Sequence, residues 1–163
     1  SQALYYKWGI LEQPILKKAF DSSKKIKNIK KVTADIAKSG NTSCLITMSQ
    51  DIFANFFTDY GFDYIFSSYY PKNINEPYDR DKALEPTDKL TLSKKVCKEN
   101  NIIFERSVVF GDSISDKLLF EKLEETVCIN GSDSLKKISK YSYSGDDLWK
   151  AYNPFTFASP PRL

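Results

Sequence analysis

Two observations on the 163-residue sequence predict an α/β fold, a Rossmann-like three-layer α/β/α arrangement around a mostly parallel sheet. Short apolar runs bounded by polar residues read as buried strands, and they alternate with amphipathic helical stretches at the spacing of βαβ units. With 41% apolar and 28% charged residues, the chain has the composition of one ordinary globular domain. A domain of this length buries roughly 70% of the surface its unfolded chain would expose, so it needs neither disulfide nor structural metal.

The elements follow in order. From Ser22 to Ser39 the residues Ile26, Ile29, Val32, Ile36 and Ala37 recur at helical spacing, with Gly40 available to end the helix. Cys44-Leu45-Ile46-Thr47 is a buried strand, followed by a helix through Ile52, Phe53, Phe56 and Phe57 that stops at Tyr60-Gly61. A strand at Tyr64-Ile65-Phe66 leads into a polar, proline-containing connection from Tyr70 to Pro86. A helix from Thr87 to Asn100, a strand at 107–110 and a helix through Leu118, Leu119 and Leu123 come next. The strand Thr126-Val127-Cys128-Ile129, a helix over 135–140 and a short strand at 141–144 complete the series. The prolines Pro154, Pro160 and Pro161 mark residues 151–163 as an irregular tail.

Composition excludes several chemistries. There is no histidine, hence no Ser-His-Asp or Cys-His pair and no histidine-containing zinc site. A formal charge of +3 is too small to point to nucleic acid, and the seven lysines between Lys17 and Lys31 read as a solvated helix face. Cys44, Cys97 and Cys128 lie far apart inside apolar runs, as buried thiols of a reducing compartment do. No apolar run approaches the ~18 residues of a membrane span, and the first residues lack a signal-peptide pattern. The expectation is a cytoplasmic protein with no nucleic-acid or membrane partner.

In open α/β sheets the chemistry gathers at the carboxyl ends of the strands. Three places there carry suitable groups: Thr47-Met48-Ser49, Lys89 near the start of its helix, and Gly111-Asp112-Ser113-Ile114-Ser115-Asp116. Two carboxylates four apart, straight after a buried strand and a glycine, suit a hard divalent cation. The plainer alternative is that Asp112 or Ser113 caps the following helix. The same segment is similar to the nucleophile block of GDSL-type esterases, with Ser113 as nucleophile. That block normally sits near the N-terminus and is served by a histidine, which this chain does not have.

The order of these segments resembles motifs II, III and IV of the haloacid dehalogenase (HAD) superfamily, most closely its phosphoserine-phosphatase-like branch. The turn Gly61-Phe62-Asp63, the helix begun by Lys89 and the Cys128-Ile129-Asn130 segment fit that branch as well. The resemblance implies a HAD core over residues 24–150, preceded over 1–23 by the end of a helical cap, with Tyr5, Tyr6 and Trp8 as lid aromatics or cap core. It implies a Mg²⁺-dependent phosphomonoesterase acting on a small phosphorylated substrate. Thr47, with the backbone of Met48 or Ser49, would bind phosphate; Lys89 would neutralise charge; Asp112 would bind Mg²⁺, supported by Asp116.

The family's motif I, an Asp-x-Asp after an apolar strand, has no counterpart. The sole Asp-x-Asp is Asp79-Arg80-Asp81, which follows no buried strand. In the family that strand is central, so its absence would leave two inner strands unpaired, each orphaned group costing about 1–3 kcal/mol. The expectation is that an N-terminal segment or a second chain supplies both the strand and the nucleophilic aspartate. The alternative is a HAD-fold binding or regulatory subunit without turnover.

Overall fold

The computed structural model describes residues 12–73 and 75–153. Residues 1–11, with the aromatics of the expected cap, and residues 154–163 of the expected tail lie outside this range.

Helix α1, Gln13–Ser22, starts with a proline in its first turn, where the ring's fixed φ suits a helix and no N–H is needed. It buries Phe20, 2% exposed, among Phe53, Phe56 and Phe57, with ring centroids 5.0–5.2 Å away. Burying a side chain of this size contributes about 1.5–3 kcal/mol. Helix α2, Ile29–Lys38, turns Ile29, Val32 and Thr33 inward.

The chain does not form one helix from Ser22 to Ser39. Asn28 has φ 64°, a left-handed conformation that interrupts helical continuity. Just before it, Lys27 N donates to Asp146 O at 2.7 Å, and Leu148 N donates to Lys27 O at 3.0 Å. Pairing with this distant strand-like segment replaces the helical bonds that residues 23–28 would otherwise make.

Strand β1, Cys44–Gln50, pairs in parallel with β2, Tyr64–Ser68. Between them run the short helix α3, Asp51–Ala54, and a 3₁₀ stretch, Asn55–Tyr60. Gly61 ends that stretch at φ 81°, a conformation that costs glycine little. The second sheet has β3, Val108–Gly111, beside β4, Glu125–Ile129, beside β5, Tyr141–Tyr143, all parallel. Central β4 is the buried one, with Val127 at 2% and Cys128 at 0% exposure.

Helix α4, Pro86–Glu99, packs on β1 and on the segment after β3, tying the two sheets together. Its end contributes a bond from Asn100 Nδ2 to the Tyr64 hydroxyl of β2, 3.0 Å. The short helices α5, Lys117–Phe120, and α6, Asp133–Lys136, bury Leu119, Phe120 and Leu135. Helix α7, Leu148–Tyr152, carries the ordered core past residue 150: Tyr152 is 1% exposed and donates to Asp35 Oδ2 at 2.9 Å. An apolar aromatic anchor thus overrides the proline-rich composition that follows it.

Among the described residues β1 pairs only with β2, and β3 only with β4. Residues 44–47 of β1 and all of β3 are half-buried although apolar. Among the described residues each of these strands has one edge without a strand partner.

Candidate active site

Strand β3 delivers Gly111 to the carboxyl end of its sheet, and the chain then turns tightly so that Asp116 folds back beneath the strand end. A Cβ at Gly111 would lie 2.7 Å from Asp116 Cγ, so only glycine admits this approach. The loop after β4 closes on the same turn, since a Cβ at Gly131 would lie 2.7 Å from the Asp112 carbonyl oxygen.

Asp116 is 6% exposed, and both its oxygens are engaged. Oδ1 accepts from Lys89 Nζ at 2.6 Å; Oδ2 accepts from the N–H groups of Asp112 and Ser113 at 3.2 and 3.1 Å. Lys89, itself 8% exposed, also donates to Ser115 Oγ at 2.8 Å. Ser115 Oγ lies 2.7 Å from Ser113 Oγ, which lies 3.4 Å from Asp116 Oδ2. A buried lysine and carboxylate so placed compensate each other's desolvation only because further hydrogen bonds satisfy the remaining atoms.

Asp112 differs from its neighbours. It is exposed, and its carboxylate has no hydrogen-bond or ion-pair partner among the described residues. Asp116 therefore braces the loop and Lys89, and Asp112 presents the free carboxylate. No group of three or more potential ligand side chains occurs among the described residues. A single free carboxylate of this kind is compatible with a hard divalent cation that keeps most of its other ligands as water.

At the end of β1 the register with β2 shifts between Thr47 and Gln50, which re-aims the backbone there. Thr47 Oγ1 accepts from Ser49 N at 3.1 Å, and Met48 is 42% exposed. Buried Ser68 donates to the Met48 carbonyl at 2.9 Å and accepts from Leu84 N at 2.9 Å. The Thr47 turn is thereby joined to the residues that start α4, whose first turns carry Lys89. Lys89, Ser113, Ser115 and Asp116 form one bonded group; Ser68 ties the Thr47–Ser49 turn to Leu84, just before α4, and is not itself hydrogen-bonded to that group.

Sequence reasoning did not assign roles to Ser68 or Ser115. Ser68 had no local signal, because its partners lie in β1 and in the connection before α4. Ser115 could have been found from its place one residue before Asp116 in a serine-rich turn. Asp79-Arg80-Asp81 lies in the β2–α4 connection, where Asp79 caps a single 3₁₀ turn, Arg80–Lys82.

No family model and no curated protein matches the sequence. Solved structures do match its fold. A phosphoserine phosphatase captured as a phospho-aspartyl intermediate analogue superposes with TM-score 0.68 at 18% identity, over 87% of this chain and 69% of that one. A HAD family hydrolase from Salmonella enterica serovar Typhi gives TM-score 0.73 at 18% identity, over 93% of this chain and 52% of that one. The cobalt-bound deoxy-D-mannose-octulosonate 8-phosphate phosphatase from Haemophilus influenzae gives 0.58 at 12% identity, over 80% and 67%. The chain shares the α/β fold of these structures.

Proposed function

We propose that this chain forms the core of a Mg²⁺-dependent phosphomonoesterase. It acts on a small phosphorylated metabolite through an aspartyl-phosphate whose aspartate lies outside residues 1–163. The observation that carries this reading is the buried Lys89–Asp116 pair set beside the exposed, unpartnered carboxylate of Asp112, at the carboxyl end of β3.

Phosphoryl transfer spreads negative charge over the equatorial oxygens and is served by donors and cations fixed in advance. Lys89, held on two sides, supplies a pre-oriented positive charge. The Thr47 hydroxyl, with the Met48 N–H or with the Ser49 N–H that Thr47 Oγ1 otherwise holds, binds a phosphoryl oxygen. Asp112 holds Mg²⁺, with Asp116 orienting the loop beneath it; the ion, when bound, supplies Lewis-acid stabilisation of phosphoryl charge. The external carboxylate forms its O–P bond as the ester oxygen departs and is protonated to the alcohol. Water then cleaves the acyl phosphate to free carboxylate and inorganic phosphate.

The unpaired edges of β1 and β3 support a parallel strand, contributed by a preceding segment or a second chain, that carries this aspartate. The three free thiols support a reducing, cytoplasmic setting. Among the described residues no helix is long and apolar enough to cross a membrane. A second reading, a binding or regulatory subunit without turnover, is favoured only by the placement of the sole Asp-x-Asp away from any strand.

The test is an assay of the protein together with its strand-bearing segment on p-nitrophenyl phosphate and a panel of phosphorylated metabolites. Turnover is expected to require Mg²⁺ and to fall at least ~100-fold in Asp112→Asn. Absence of Mg²⁺-dependent turnover, or full activity in Asp112→Asn, overturns the reading.

A further inference from the structure

We propose that Ser115, backed by Ser113, is a positioning residue that holds the Lys89 ammonium as a tripod. Two N–H bonds are fixed within the protein and the third is free for a phosphoryl oxygen. The identity of that third acceptor rests on the phosphatase reading; the tripod rests on the hydrogen-bond polarity alone.

An ammonium has three protons and no lone pair, so it can only donate. One proton goes to Asp116 Oδ1 at 2.6 Å and one to Ser115 Oγ at 2.8 Å. Ser115, accepting from Lys89, directs its own proton to Ser113 Oγ, 2.7 Å away. Ser113 in turn directs its proton to Asp116 Oδ2, 3.4 Å away. The bonds close a ring, Lys89 to Ser115 to Ser113 to Asp116, with Lys89 also donating directly to Asp116. The ammonium fixes Ser115 Oγ as its acceptor, and the Ser115-to-Ser113 direction follows when Ser113 donates to Asp116 Oδ2.

A lysine side chain has four flexible methylenes, and one ion pair restrains it poorly against rotation about Nζ. The second fixed bond removes that freedom, which is how a charge becomes oriented before the substrate arrives. The ring also assigns Ser113 a role other than nucleophile. Its proton is directed at a carboxylate that is already paired with Lys89 and with two backbone N–H groups, so the group it bonds to is not a free base.

The test measures binding of inorganic phosphate, in the presence of Mg²⁺, to the 163-residue chain and to its Ser115→Ala, Ser115→Thr and Ser113→Ala variants. The same variants are then assayed in the strand-completed protein. Loss of a hydrogen bond to a charged group is expected to weaken phosphate binding about tenfold in Ser115→Ala and to lower kcat by a similar factor. Ser115→Thr, which keeps the hydroxyl, is expected to stay within about twofold of wild type, and Ser113→Ala to fall between the two. Wild-type binding in Ser115→Ala overturns the tripod and leaves the phosphatase reading standing. Loss in Ser115→Thr as large as in Ser115→Ala also overturns it, because the defect is then one of packing. A wild-type chain that binds no phosphate, with a completed protein that turns over no phosphomonoester, overturns both.

Discussion

Lys89 and Asp116 meet across 27 residues of sequence, and neither could be buried without the other. Removing one partner of a buried pair leaves an uncompensated charge, which typically costs about 3–5 kcal/mol, whereas removing both costs much less. Lys89→Met and Asp116→Asn are therefore each expected to destabilise the chain by about that amount in urea denaturation. The double variant should lose clearly less than the sum; strict additivity would show that the pair is not coupled. The sequence carried part of this. Gly111 and the two aspartates stand out locally, since a glycine after an apolar strand and carboxylates one turn apart have a physical reason to occur together. Lys89 had only its place near the start of a helix: one lysine among many on helical segments looks like a solvated one, and the resemblance gave it its role. Its burial depends on a side chain that no local pattern could place beside it.

At the scale of elements, parallel strands and long helices were legible because their signals are local. The apolar runs at Cys44–Thr47 and Thr126–Ile129 appear within β1 and β4, and α4 spans Pro86–Glu99, close to the expected 87–100. Departures occur where a tertiary partner competes with local propensity, as in the break between α1 and α2, where Lys27 bonds to Asp146, and in α7, held by Tyr152. The Tyr152 phenol is raised from its ordinary 10.0 to about 12, first by burial and then by its hydrogen bond to Asp35. The Cys44 thiol is likewise raised from 9.0 to about 12, mainly by burial. Both groups bind their protons more tightly in the folded than in the unfolded chain. Their contribution to stability is thus complete below about pH 9 and is lost as pH rises toward 12. Urea denaturation at pH 8 and at 10.5 should show this decline, and Tyr152→Phe should make it shallower; an unchanged slope in the variant would show that α7 docking is not linked to that proton.

On the scale of the whole molecule, the described residues form two parallel sheets joined by α4 and by the Lys89–Asp116 pair, with β1 and β3 each paired on one side only among them. The lack of an Asp-x-Asp after an apolar strand raised the expectation of unpaired inner strands, because such a segment would have both a chemical and a backbone role. The sequence did not indicate whether a preceding segment or a second chain would supply such a strand. The substrate is equally illegible: the aromatics Tyr5, Tyr6 and Trp8 expected near a lid fall outside the described residues. The central claim is that a carboxylate, not Ser113, receives the phosphoryl group. The most direct measurement is rapid quench of the strand-completed protein during turnover of a ³²P-labelled phosphomonoester, followed by hydroxylamine treatment and peptide mapping. The account predicts hydroxylamine-labile label, the behaviour of an acyl phosphate, on an aspartate outside residues 1–163. Hydroxylamine-resistant label on Ser113, or steady turnover with no covalent label, would contradict it.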